Sequence, residues 1–238
     1  MKWQILDTGQ ATGQQNMDQD WQLLQDLNAN SNPILHLYDW SHDTASYGHF
    51  IKPFEHLKEE GVAKHGLQLA RRPTGGGVIL HVSDFAYSCI IPAAHPRFSL
   101  NTFENYAWIH SLVAQVIQRF AGQEIEPDLL AQESIPENLH CKHFCMAKPT
   151  RFDVMLNGRK VGGGAQRRTR KGFLHQGTIS LAMPTEAYLT DILKVDAAVL
   201  QGMRKHGGVL IGSDWTRQDL LDARFTLKNL LAQMLTEG

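Results

Sequence analysis

Arg71-Arg72-Pro73-Thr74-Gly75-Gly76-Gly77-Val78-Ile79-Leu80-His81 sets two cations and three successive glycines directly before a β-branched strand. Three residues without Cβ let backbone N–H groups come close to a bound group, at an entropic cost that a plain connection need not bear. Arg71 and Arg72 add charge-assisted donors suited to a phosphate or a carboxylate. The plainer alternative is a glycine-rich turn with two solvated arginines.

A second stretch weighs against that alternative. Gly158-Arg159-Lys160-Val161-Gly162-Gly163-Gly164-Ala165-Gln166-Arg167-Arg168 follows the strand-like Arg151-Phe152-Asp153-Val154-Met155-Leu156. Two glycine-rich, arginine-bearing loops, each attached to a strand, read as two walls of one site for an anionic ligand.

Composition frames this reading. A chain of 238 residues with 42% hydrophobic residues can bury a full core and fits one large domain. A formal charge of −1 argues against general nucleic-acid binding, which needs a phosphate-neutralising basic face. Three cysteines without a disulfide spacing favour a reducing compartment. No apolar leader or membrane-length run stands out, so a soluble, cytoplasmic protein is expected.

In chain order, 3–6 reads as a first strand and 9–16 as a loop. Met17, Trp21, Leu24 and Leu27 recur at helical spacing. Pro33 releases the chain into a strand over 34–38, and an ordered loop follows over 40–48. A helix is expected over 52–64 and a strand over 67–70. Residues 78–82 and 85–91 alternate as a hairpin would around Ser83 and Asp84. Ile109, Leu112, Val113, Val116 and Phe120 mark a helix over 101–120 closed by Gly122. Residues 121–141 read as a surface excursion; strands resume over 152–156, 173–176 and 178–182, and helical periods recur over 187–192 and 220–235.

The segment His140-Cys141-Lys142-His143-Phe144-Cys145-Met146-Ala147-Lys148-Pro149 gathers thiols and imidazoles. A structural zinc site would need a second ligand pair elsewhere, and none is evident, so no metal is expected. Cys145 and Cys89 both have a plain reading as buried hydrophobes.

Taken together, Arg-Arg-x-Thr-Gly-Gly-Gly-x-Ile-x-His, then Asp-Val-x-x-x-Gly-Arg-Lys-Val-x-Gly-x-Ala-Gln-Arg, then His175-Gln176-Gly177-Thr178, resemble the biotin/lipoate ligase and octanoyltransferase superfamily in its lipoate branch. The likeness covers most of the chain, since Asn16-Met17-Asp18 resembles the first helix of that family and residues 40–48 its Trp-Ser-x-x-x-x-Ser-x-Gly segment, which helps wall the acyl pocket there. It implies an α/β (α+β) single domain, 1–238, with a mixed, largely antiparallel sheet packed by helices and no separate accessory domain.

The resemblance also implies a site. Arg71, Arg72, Thr74, Gly75, Gly76, Gly77, His81, Asp153, Gly162, Gly163, Gly164, Ala165, Gln166, His175, Gly177 and Thr178 would bind substrate, and Lys160 and Cys145 would act on it. In cysteine-containing octanoyltransferases the thiol at the Cys145 position carries the acyl group as a thioester. A cation such as Lys160 would favour the thiolate and shuttle the proton. The implied activity is transfer of an octanoyl or lipoyl group to the lysine of a lipoyl domain. The alternative is an ATP-dependent lipoate-protein ligase working through lipoyl-AMP, with ATP and magnesium. A biotin ligase fits less well, because the Gly-Arg-Gly-Arg type of loop and a DNA-binding domain are both missing, and a non-catalytic acyl-binding module would have no need of Lys160. Implied partners are the lipoyl domains of 2-oxoacid dehydrogenase complexes or the glycine cleavage H protein, with acyl carrier protein as a donor. No tightly bound cofactor, nucleic acid or membrane is implied.

Overall fold

The structure is a computed structural model that describes residues 1–133, 144, 146–194, 197–212 and 214–237. The chain opens with β1 (Gln4–Ala11), then α1 (Gly13–Asp26). Thr12 caps α1: its hydroxyl accepts from the Gln15 N–H while the Gln15 side chain accepts from the Thr12 N–H, a reciprocal capping box. Next come β2 (Ile34–Trp40), β3 (Thr44–Tyr47), a 3-10 turn at Pro53–Glu55, α2 (Glu59–Lys64), β4 (Gln68–Arg71), β5 (Val78–His81) and β6 (Asp84–Pro92). α3 (Thr102–Ala121), capped by Asn101, is followed by β7 (Asp128–Leu129), β8 (Val154–Leu156), β9 (Arg159–Arg168) and β10 (Gly172–Ser180). α4 (Glu186–Ile192), α5 (Ala197–His206) and α6 (Arg217–Glu237) complete it.

The strands form two sheets, one of seven in the order β1-β2-β6-β10-β9-β8-β7 and one of three in the order β4-β3-β5. Pairing is antiparallel except for β1 with β2 and β3 with β4. The mixed, largely antiparallel α/β fold that the resemblance implies is therefore present, as two sheets. β6 sits inside the large sheet with every residue buried, its polar Asp84 and Ser88 included. One face of the large sheet packs Phe85, Tyr87, Phe173 and Ile179 against α3 and α6. Its other face meets α1 through Leu24, Leu27, Ile90 and Leu174, while the small sheet forms its own core with α2, α4 and α5.

Several expectations are corrected. The hairpin over 78–91 does not form: β5 pairs with β3 in the small sheet, and β6 pairs with β2 and β10 in the large one. The chain crosses between sheets at Ser83, whose carbonyl accepts from the Leu181 and Ala182 N–H groups and whose hydroxyl donates to the Ala182 carbonyl at 2.6 Å. Alternation reveals a strand but not its partner, so periodicity could not separate the two cases. The helix over 52–64 is broken at Leu57, which is buried and bridges to Leu193. The loop over 40–48 contains β3, and β1 runs on into the stretch read as loop.

Candidate functional site

Between the two sheets lies a cavity of about 270 Å³. The first glycine stretch forms one wall. Arg72, although lining the cavity, is buried, and its guanidinium donates to the Ser46 hydroxyl at 2.7 Å and to the carbonyls of Gly75 and Gly77 at 3.1 and 2.9 Å. The arginine thus curls the loop around itself. Gly76 takes φ +91°, a region that favours glycine. Gly48 packs so tightly on this loop that a Cβ there would sit 2.1 Å from the Gly76 carbonyl oxygen.

Two buried polar networks tie the loop down. Thr74 donates to the Gln176 side-chain oxygen at 2.7 Å, and Gln176 donates to Asp20 at 2.6 Å; Asp20 also accepts from Ser88 and contacts His36. In the second network Ser46 bonds His81 Nε2 at 2.6 Å, while His81 Nδ1 contacts the Asp84 carboxylate at 2.6 Å. Thr178 donates to that same carboxylate oxygen. Burial works against ionisation of Asp84, but the facing His81 and the hydroxyl of Thr178 outweigh it and hold the carboxyl below the usual range. His81 also stacks on Trp40, with ring centroids 4.3 Å apart.

The second glycine stretch is a strand rather than a loop. Asn157 and Gly158, at φ +51° and +73°, make the tight turn into β9. Gly162, Gly163 and Gly164 then run through β9 beside β10. Among the described residues, β8 accompanies β9 only as far as Gly162.

A β-bulge decides where Lys160 points. Val154 pairs with Gly162 and Met155 with Lys160, so one step on β8 faces two on β9. In a regular strand Lys160 and Gly163, three apart, would lie on opposite faces. The bulge brings them to the same face: a Cβ on Gly163 would meet Lys160 Cε at 2.7 Å, and Nζ and Asp153 Oδ1 at 2.8 Å. Lys160 therefore crosses over a residue whose missing side chain makes its room. Its Nζ stands 2.8 Å from Asp153 Oδ2, with the lysine side chain 11% exposed and the aspartate 2%. The same carboxylate oxygen accepts from the Thr150 N–H and hydroxyl at 2.6 and 3.0 Å.

Of the residues singled out from sequence, Arg72, Gly75, Gly76, Gly77, Lys160, Gly162, Gly163, Gly164, Ala165, Gln166 and Thr178 line the cavity together. Others stand behind that wall. Arg71 is exposed at the end of β4, Thr74 and His81 belong to the buried networks, and Asp153 backs Lys160. His175 lies under Gly164, where a Cβ would meet its Nε2 at 2.6 Å; Gly177 covers Tyr87 in the same way. Burial first, then the neighbouring His110, push the His175 ring well below the ordinary histidine value, so it is a neutral packing group. Cys145 and the thiol–imidazole segment 140–143 lie outside the described residues. Among the described residues no cluster of three or more metal-ligating side chains occurs. Sequence reasoning missed Ile79, Tyr106, Phe144, Met146, Lys148, Thr150, Ser180 and Gly207 on the cavity wall. Phe144 and Met146 flank Cys145 in sequence and were discoverable from it, whereas Tyr106 and Gly207 reach the site from α3 and the end of α5 with no local signal.

These features define an α/β domain that presents a lysine–aspartate pair at a glycine-walled cavity between two sheets. The chain belongs to the lipoyl protein ligase A/B catalytic domain family, whose model matches residues 12–210. It is 31% identical over 185 residues to octanoyltransferase LipM of Carboxydothermus hydrogenoformans, covering 77% of this chain and 66% of that one. With octanoyltransferase LipM of Bacillus subtilis it shares 27% over 209 residues, covering 86% and 74%. The chain spans about two thirds of the length of the Carboxydothermus relative. Among solved structures, lipoate-protein ligase A bound with ATP shares the fold at a TM-score of 0.69 and 17% identity, covering 100% of this chain and 95% of that one. A chain from a bi-partite lipoate protein ligase and its E2 lipoyl domain from Thermoplasma acidophilum gives 0.65 and 17%, covering 100% and 92%. No described helix is long and apolar enough to cross a membrane.

Proposed function

We propose that this protein transfers an octanoyl or lipoyl group to the lysine of a lipoyl domain through a thioester on Cys145. The observation that carries the reading is Lys160, held 2.8 Å from Asp153 on the cavity wall above Gly163. The likeness to octanoyltransferases LipM supports the donor chemistry, and the E2 lipoyl domain studied with the Thermoplasma ligase supports the class of acceptor. The cavity is at the small end of ligand sites, suited to one acyl group, and Ile79, Phe144 and Met146 give it apolar wall.

In the first step the Cys145 thiolate attacks the carbonyl of an acyl thioester, the S–C bond to the donor breaks, and the donor leaves as a thiol with the proton that Lys160 handles. In the second, the neutral acceptor lysine amine attacks the enzyme thioester, the C–S bond to Cys145 breaks as the amide forms, the proton that the amine loses returns to Lys160, and the Cys145 thiolate is regenerated. Backbone N–H groups of the glycine walls are suited to the developing oxyanion. Arg72 shapes this wall, its guanidinium donating to Ser46 and to two loop carbonyls.

Intact-mass spectrometry tests this reading. Incubation with octanoyl carrier protein should add an octanoyl mass that hydroxylamine removes, and Cys145→Ser should lose both adduct and activity. Lys160→Ala should slow transfer by about 10²–10⁴-fold, the usual worth of one positioned proton-transfer or charge-stabilising group. Full ATP- and magnesium-dependent ligation of free lipoate by Cys145→Ser, with no adduct on the unmodified protein, would replace the transferase with the ligase.

A further inference from the structure

Asp153 reaches Lys160 from a tight turn that the local sequence does not favour. The Asp153 N–H donates to the Thr150 carbonyl at 3.0 Å, closing a four-residue turn whose third position is Phe152. Phe152 holds φ +69°, and that position of a turn with positive φ ordinarily falls to glycine or asparagine. Something outside the turn must hold a phenylalanine there. Its N–H donates to the Leu130 carbonyl at 2.8 Å. Its carbonyl, part of the peptide unit that leads into Asp153, accepts from His110 Nδ1 at 2.6 Å.

His110 comes from α3, 42 residues away, and is 1% exposed. It is walled by Tyr106, 5.7 Å between centroids, and by His175 at 4.9 Å. A buried ring packed against two others has little freedom to follow a moving peptide, so the carbonyl is fixed relative to α3 rather than to its own loop. The orientation of that peptide sets the direction in which the Asp153 side chain leaves the turn.

We propose that His110 is a positioning residue for Lys160: by fixing the Phe152 carbonyl it keeps the 150–153 turn closed and the Asp153 carboxylate on the lysine. This rests on the reading of Lys160 as the group that handles charge and protons in acyl transfer. His110 itself touches no reacting atom.

The test compares His110→Phe, which keeps a ring but removes the donor, with His110→Asn, whose amide can donate in place of Nδ1. Lys160 reactivity toward an amine reagent at pH 7, read site by site by mass spectrometry, reports the carboxylate contact without depending on activity. Withdrawal of the carboxylate from the lysine should raise labelling of Lys160 roughly threefold to tenfold in His110→Phe, and the asparagine variant should return it close to the unmodified level. In the same His110→Phe protein, kcat for acyl transfer should fall about tenfold or more, with KM for the acceptor changing far less. A folded His110→Phe protein with unchanged Lys160 labelling overturns the proposal. Raised labelling with unchanged transfer keeps the positioning and overturns instead the role given to Lys160. If His110→Phe does not fold, nitrogen NMR of the unmodified protein decides: His110 must carry its proton on Nδ1, and the opposite tautomer refutes the clamp.

Discussion

Gly163→Ala adds one methyl group at the point where Lys160 passes over the strand. The new Cβ would stand 2.7 Å from Lys160 Cε and 2.8 Å from both Nζ and Asp153 Oδ1. Ordinary carbon contacts lie near 3.5–4 Å, so the lysine must retreat by about 1 Å. Gly163 is outside the left-handed region, so alanine fits its backbone without strain. Two of the three atoms belong to the far end of the Lys160 side chain, and the third, Asp153 Oδ1, is not the oxygen that Thr150 holds, so the clash should cost about 1 kcal/mol of stability, offset in part by the roughly 0.5–1 kcal/mol that alanine gains over glycine in a strand. A reacting group misplaced by about 1 Å can cost about 10²-fold in rate. The variant should therefore keep its thermal midpoint and lose most of its turnover in an octanoyl-transfer assay on a lipoyl domain. Gly164→Ala provides the contrast. Its Cβ meets the buried ring of His175 at 2.6 Å, where nothing can give easily, so it should destabilise by about 1–3 kcal/mol. Wild-type turnover by a folded Gly163→Ala protein would refute the argument that Lys160 acts from its observed position.

Three other outcomes follow from the geometry. Gly76→Val places a β-branched residue at φ +91° on the cavity wall; it should cost about 1–3 kcal/mol of stability and weaken octanoate or lipoate binding more than tenfold by calorimetry, and normal binding would reduce the loop to a simple turn. Burial holds both His110 and His175 below the ordinary histidine value of 6.5, so the unfolded chain takes up protons first: stability is present above that pH and is lost as the pH falls below it, by up to about 1.4 kcal/mol per pH unit for each ring. Denaturant midpoints that stay flat between pH 7 and pH 5 would contradict this. Burial also pushes the Cys89 thiol far up, so Cys89 should resist alkylation at pH 8 until the protein unfolds, a point that peptide mapping before and after denaturant can check.

How much of this was legible in the sequence depends on the range of the interaction. The long helices were readable because their apolar positions repeat every three to four residues and their ends carry Asn101 and Gly122, local signals that the packing does not override. The two glycine stretches were recognisable as one site, yet their conformations were not. Gly162, Gly163 and Gly164 resemble a loop because glycine is poor at filling a strand, and only the side chains of Lys160, Val154 and His175 crowding them explain why nothing larger fits. His81 was expected at the ligand, whereas its partners Ser46 and Asp84 draw it into a buried network. His110 gave no sign at all, since its partner is a backbone carbonyl on a distant turn.

The crossing at Ser83, where the chain leaves the small sheet for the large one, has a bearing on the order of assembly. From α6, Arg224 donates to the carbonyls of Asp84 and Val82, at 2.8 and 3.2 Å, on either side of that crossing. The two sheets supply opposite walls of the cavity, and this guanidinium braces the joint between them. During synthesis every strand has left the ribosome before α6 appears, so both walls can form early while the angle between them stays unset. The cavity should accordingly mature only once α6 has docked, closed by a helix that contributes no residue to its lining.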